Sequence, residues 1–132
     1  MGGIFLDTGK IEDIKTYLAM GIIRGVTTTP TILLRDGVTG GMEGIQKRTI
    51  EIAKLIDPLP LSVEVITNDR NEMIEQAKTF SAWASNINVK ITIHGPNGET
   101  ENVEVIHELE TKHNIRVNVT AMMSAQQCFL AA

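Results

Sequence analysis

The chain has 132 residues, 42% of them hydrophobic and 21% charged, with a formal net charge of −4. These proportions are those of one globular domain and exclude disordered and fibrous classes. Lys and Arg form no run, which argues against nucleic acid or a membrane surface as partner, and the single cysteine, Cys128, excludes a disulfide framework or a thiolate zinc site.

In chain order, Ile4 to Asp7 reads as a first strand. Ile11, Ile14, Tyr17 and Leu18 then form an apolar stripe at helical spacing, and Gly21 is placed to end that helix in a left-handed conformation. Gly25 to Thr28 is a second strand, and Gly37 to Gly41 reads as a loop. Met42, Ile45, Ile52 and Ile56 make a second helical stripe, stopped by Asp57-Pro58. Leu61 to Ile66 is a third strand. Asp69 with Glu72 resembles a capping box ahead of Met73, Ile74, Ala77 and Phe80, a helix that Trp83 anchors. Ile87 to Ile93 is a fourth strand, followed by a turn at Gly95-Pro96-Asn97-Gly98. Val103, Ile106 and Leu109 mark a further helix ending near Asn114, Ile115 to Thr120 a fifth strand, and a last helical pattern begins near Ser124.

The β-α order predicts parallel strands joined by right-handed crossovers. The strands alternate rather than run apolar throughout. Ile87, Val89, Ile91 and Ile93 point one way and Asn88, Lys90 and Thr92 the other, a pattern repeated at Leu61 to Ile66 and Ile115 to Thr120. Doubly wound sheets have near-continuous apolar strands; one apolar and one polar face fits an α/β fold of the (β/α) TIM-type barrel, with helices outside. A complete barrel needs eight units and about 250 residues. The expectation is therefore an incomplete barrel of about five βα units, one domain over residues 1–132, truncated after the fifth strand or completed by partner chains.

Met1 to Ile4 lack the basic and apolar regions of a secretory signal, and no apolar stretch approaches the roughly 18 residues of a membrane span. The expected location is the cytoplasm.

Four polar residues fall on the inward face near the carboxyl ends of different strands: Asp7, Glu64, Lys90 and Thr120. Asn118 shares that face. A lysine within an apolar strand is costly unless its amine is used or reaches water. An amine held in a water-poor barrel has a depressed pKa and serves as a neutral nucleophile for Schiff-base formation. Two carboxylates at different depths then divide the proton transfers. The plain alternatives are a snorkelling Lys90, Glu64 as its ion-pair partner, and Asp7 opening a turn that caps the first helix. His107 reads as a helix-surface residue, His113 as a favourable cation at a helix end, and Cys128 and Met122-Met123 as packing. No metal site is expected from the three histidines.

Phe5-Leu6-Asp7-Thr8, Gly25-Val26-Thr27-Thr28-Thr29-Pro30, Ser62-Val63-Glu64-Val65, Asn88-Val89-Lys90-Ile91 and Asn118-Val119-Thr120 together resemble the transaldolase family. The likeness is to short transaldolases and the related fructose 6-phosphate aldolases, and it runs in the family's order along essentially the whole chain. The resemblance implies that Lys90 is the Schiff-base lysine and that Asp7 takes the hydroxyl proton during carbon–carbon cleavage. It further implies that Glu64 shuttles protons through a water positioned by Thr120, and that Asn118 contacts substrate hydroxyls. Glu rather than Gln at position 64 looks more like a transaldolase than the aldolase branch. Thr28 and Thr29 fall in the substrate-binding motif, where the family's Thr-Thr-Asn-Pro places an asparagine at the position of Thr29. The family's phosphate-binding Ser and Arg lie beyond the fifth strand.

The activity so implied is a transferase of carbohydrate metabolism, in the pentose phosphate pathway, moving a dihydroxyacetone unit between sugars or sugar phosphates. It needs no metal or other cofactor, and the likeness implies a homo-oligomer. The alternatives are an aldolase-like lyase, an inactive barrel fragment and, remotely, a receiver-like signalling domain. A receiver wants an aspartate on the third strand and a lysine on the fifth, where this chain has Glu64 on the third and Lys90 on the fourth.

Overall fold

Each apolar strand face needs a cover, and the helices between the strands supply it. The computed structural model describes residues 3–132, so the signal reading at Met1–Ile4 lies partly outside the described residues. The elements are β1 (Ile4–Asp7), α1 (Ile11–Ala19), β2 (Ile23–Thr28), α2 (Pro30–Arg35), α3 (Gly41–Ile56), β3 (Leu61–Glu64), α4 (Arg70–Ser81), β4 (Ile87–Thr92), α5 (Glu101–Lys112), β5 (Val117–Thr120) and α6 (Ala125–Ala131). All four strand pairings are parallel, in the spatial order β1-β2-β3-β4-β5. The sheet curls into half of an α/β barrel. Receivers carry a doubly wound sheet in the order 2-1-3-4-5; the strictly sequential order here sets the chain apart from them.

The core lies between sheet and helices. Val26, Leu61, Val63, Val89 and Ile91 of the strands meet Ile14, Ile52, Met73, Ala77, Val105 and Leu109 of the helices, all nearly or wholly buried. Helix α1 ends as its glycine requires, with Gly21 at φ +69°. Gly25 answers a close approach instead: a Cβ there would stand 2.3 Å from the Phe5 ring. Trp83 packs against Phe80 of α4, with ring centroids 4.7 Å apart and ring planes tilted by 40°.

Several boundaries differ from the sequence reading, for local reasons. Strand β2 begins at Ile23, because Ile4 pairs with it ahead of Gly25. Strand β3 ends at Glu64, short of Ile66, whose N–H turns to Gln76 Oε1 at 2.9 Å instead of a ladder partner. Ile115 is still held by the end of α5, its N–H donating to the Leu109 carbonyl, so β5 starts at Val117. Helix α2 was not expected, although Thr29 as cap and Pro30 in its first turn are a familiar helix start. Asp69 caps α4 by accepting from the Asn71 and Glu72 N–H groups, but Glu72 does not close the box. Its carboxylate accepts from the Thr67 hydroxyl, which in turn accepts from the Asp69 N–H.

The expectation that Cys128 and Met123 are packing residues is corrected. Helix α6 buries none of its residues, Cys128 is exposed, and Met123 and Phe129 are each 87% exposed. His107 does lie on the surface of α5, and His113 sits at that helix's C-terminal end, 3.8 Å from Glu108. Among the described residues no helix is long and apolar enough to cross a membrane.

Deleting core volume costs far more than trimming the surface. Leu109→Ala, at a fully buried position, is expected to lose about 2–5 kcal/mol of unfolding free energy. Leu34→Ala, at a position 57% exposed, is expected to stay within about 0.5 kcal/mol in the same urea titration.

Candidate active site

Parallel register converts the alternation along each strand into polar rows across the sheet. The face turned from the helices carries Asp7, Thr27, Ser62 and Asn88 in one row. The next row, toward the strands' carboxyl ends, holds Glu64, Lys90 and Asn118, and the one after pairs Thr92 with Thr120. The sequence named Asp7, Glu64, Lys90, Asn118 and Thr120 on this face, and all five lie there.

Lys90 and Glu64 are the pair the fold brings together. Lys90 Nζ stands 4.0 Å from Glu64 Oε2, with the two side chains 15% and 26% exposed. The amine therefore does not snorkel into bulk water. At that distance the charges attract without a direct hydrogen bond, so the ammonium keeps its donors available for a ligand. Asn118, opposite Lys90 in register, donates from Nδ2 to Ser62 Oγ at 2.9 Å, crossing β4 and fixing its own amide. Asn88 lies on the same face, two residues before Lys90, and its Oδ1 is buried without a partner among the described residues.

Asp7 shares the face but not the contact. Strands β2 and β3 separate it from Lys90, and its carboxylate accepts from Thr27 Oγ1 at 2.6 Å. It does not cap α1, whose N-cap is Lys10 with no side-chain bond. Thr29 Oγ1 accepts from the Ile32 N–H at 3.1 Å and so caps α2. Thr28 is fully buried, opposite Val63 in the layer beneath the helices, away from the polar rows. The structure thus separates the two adjacent threonines that the sequence grouped as substrate contacts: strand alternation puts consecutive side chains on opposite faces.

The same face holds Thr27, Ser62 and Thr92, which sequence reasoning passed over as site residues. Strand parity was the available signal, since each stands two residues from, or opposite, a named residue. Among the described residues, no three His, Cys, Asp or Glu side chains gather closely enough to hold a metal ion.

This arrangement coincides with a family match. Residues 4–132 match the family model described as transaldolase/fructose-6-phosphate aldolase. The chain belongs to that family. It is 36% identical over 129 residues to a probable transaldolase of Dehalococcoides mccartyi, an alignment covering 98% of this chain and 55% of that protein. A probable transaldolase of Exiguobacterium sp. is 39% identical over 128 residues, covering 97% of this chain and 54% of the relative. One from Carboxydothermus hydrogenoformans is 37% identical over 129 residues, again 98% against 55%. The chain spans about half the length of the curated relatives it matches.

In this family member the loop after β1 is pinned from both sides. Asp36, its side chain 1% exposed, accepts from the Gly9 N–H at 2.8 Å and lies 3.4 Å from the donating Thr8 hydroxyl. Arg48 of α3 donates to the Gly9 carbonyl at 2.8 Å. No sequence signal marked these two residues, since the contacts span 27 and 39 positions. The Arg35 guanidinium, hydrogen-bonded to Asp36, holds that carboxyl below its ordinary value near 3.8, with Gly9 adding to the effect against burial. A depressed carboxyl stabilises the fold fully above its unfolded-state pKa, and the contribution fades as pH falls through the folded value. Unfolding midpoints are therefore expected to decline below pH 3.8, with Asp36→Asn showing a shallower acid limb than the parent. At neutral pH, Asp36→Ala leaves the Gly9 N–H without its acceptor and is expected to cost about 1–3 kcal/mol in urea unfolding.

Proposed function

We propose that the chain acts as a transaldolase, carrying a dihydroxyacetone unit on Lys90 between sugars or sugar phosphates. The observation that carries this reading is the Lys90–Glu64 pair, an amine and a carboxylate 4.0 Å apart and largely buried on the polar face of a half-barrel. Family membership and the curated relatives named probable transaldolase support it. Glutamate rather than glutamine at position 64 favours transfer over the aldolase branch.

The chemistry runs through the chain's own side chains. The Lys90 amine adds to the ketose carbonyl to give a carbinolamine, and Glu64 passes a proton, through a water that Thr120 holds, to the departing hydroxyl. The resulting iminium is the electron sink. Asp7 then takes the proton of the hydroxyl on the carbon being released, the adjacent carbon–carbon bond breaks, and an aldose leaves. The electron pair of that bond remains as an enamine on Lys90. Attack of the enamine on a second aldehyde, followed by hydrolysis of the iminium, completes transfer and restores the amine. The protonated imine provides the electrophile, so the cycle calls for no metal. Asn118 and Thr29 contact substrate hydroxyls in this reading, whereas Thr28, buried beneath the sheet, is left out. The polar face is the inner wall of a barrel that further strands close, and the working enzyme is a homo-oligomer.

Borohydride reduction in the presence of dihydroxyacetone or fructose 6-phosphate, followed by peptide mass mapping, tests the assignment. The expected adduct is on Lys90 and is lost in Lys90→Met. Glu64→Gln is expected to slow adduct formation by roughly 100-fold or more, the usual weight of a positioned proton-transfer group. An adduct on another lysine, or none, overturns the reading.

A further inference from the structure

A cavity of about 200 Å³ opens beside Glu64, at the carboxyl end of β3. Glu64, Ile66, Thr67, Asn68, Met73 and Thr92 are among the residues that line it. Glu64, which lines this cavity, also stands 4.0 Å from Lys90 Nζ, so the space lies beside the residue that neighbours the amine. The volume falls below the roughly 300 Å³ at which sites for drug-sized ligands begin. It suits a short carbon chain, not a whole sugar phosphate.

The hydrogen-bonding capacity left open in the cavity defines its ligand. The Thr67 hydroxyl is committed to Glu72 and the Asp69 N–H. The Thr92 hydroxyl donates to the His94 carbonyl and accepts from Asn102. Asn68 is exposed, and its side-chain amide has no hydrogen-bond partner among the described residues. Glu64 stands beyond hydrogen-bond distance of Lys90 and retains its acceptor sites. One carboxylate that accepts and one amide that both donates and accepts therefore face a cavity with Ile66 and Met73 as apolar wall.

That is the chemistry of hydroxyl recognition along a chain whose C–H groups rest on apolar surface. A phosphate is disfavoured on two counts. Among the described residues no Lys or Arg lines the cavity, and the Asn71 and Glu72 N–H groups at the start of α4 are already taken by the Asp69 carboxylate.

We infer that this cavity is a subsite for the neutral polyhydroxylated segment of the ligand held at Lys90, with Asn68 as its specificity-determining residue. The inference rests on the Lys90 reading for the identity of that ligand. The subsite itself is tested without a carbonyl. Titration with erythritol, followed by NMR, is expected to shift the Asn68 side-chain amide, and inorganic phosphate at equal concentration is expected to leave it in place. No shift with erythritol, or an equal shift with phosphate, overturns the subsite.

A second arm uses borohydride trapping with erythrulose and with hydroxyacetone, which lacks the hydroxylated tail. Asn68→Ala is expected to raise the half-saturating erythrulose concentration about tenfold, the effect of one or two lost hydrogen bonds, and to shift hydroxyacetone less than twofold. Equal effects on both probes overturn the assignment to Asn68. An erythritol shift with no adduct on Lys90 sinks the Schiff-base reading and leaves the subsite standing; an adduct without the shift does the reverse.

Discussion

Glu64 and Lys90 occupy facing positions of one parallel ladder, and the place of every other polar side chain on the open face follows from the register that pairs them. A slip of one residue on either strand sends its whole side-chain set to the opposite layer. The amine would then stand among Val63, Ile91 and the helices, where an unpaired charge is costly. Fixing the apolar face thus fixes the chemical one. Ile87, Val89 and Ile91 are held under α4 and α5 by burial, and Asn88, Lys90 and Thr92 have only the other side left to them.

The pair itself adds little to stability. Withdrawing two ions partly from water costs roughly what their attraction returns, and the 4.0 Å separation forgoes the hydrogen bond that would improve the exchange. The buried carbonyl oxygen of Asn88, without a partner, adds to the cost on the same strand. Groups fully satisfied by one another have nothing left for a ligand, and unfavourable polar burial of this kind marks the face as a candidate site. The stability that permits them comes from the helix-covered side, where the strand residues beneath Lys90 are wholly enclosed.

Strand parity made the fold class and the inward set Asp7, Glu64, Lys90, Asn118 and Thr120 legible before any coordinates, because a period of two needs only a few residues to declare itself. Helix stripes and the Gly21 stop were legible too, because helical spacing and a left-handed glycine cap are also local signals. What escaped depends on contacts remote in sequence. Asp36 and Arg48 meet Gly9 across 27 and 39 positions, and nothing local in either segment announces it. Thr28 and Thr29 show the opposite case: a contiguous motif reads as one unit, although its two side chains diverge. The apolar run at α6 read as packing because hydrophobicity gives a preference for burial but not the surface that supplies it.

Burial also falls off from the middle of the sheet to its edges, and this gradient explains how the site is held. On β3 and β4 the helix-facing residues are fully enclosed, so neighbours on every side set the geometry of Glu64 and Lys90. Strand β1 is mostly exposed, with Ile4 57% and Phe5 49% accessible, and β5 is only half-buried throughout. Asp7 therefore cannot rely on packing to aim its carboxylate. Hydrogen bonds take over: Thr27 anchors the carboxylate itself, while Asp36 and Arg48 grip the two sides of the Gly9 residue just beyond it. Directional bonds hold an edge residue at lower cost than a second hydrophobic layer would, and they leave the polar face open in front of it. The arrangement divides the work between the two kinds of force, with apolar enclosure placing the Lys90 amine and a polar clasp placing the Asp7 carboxylate.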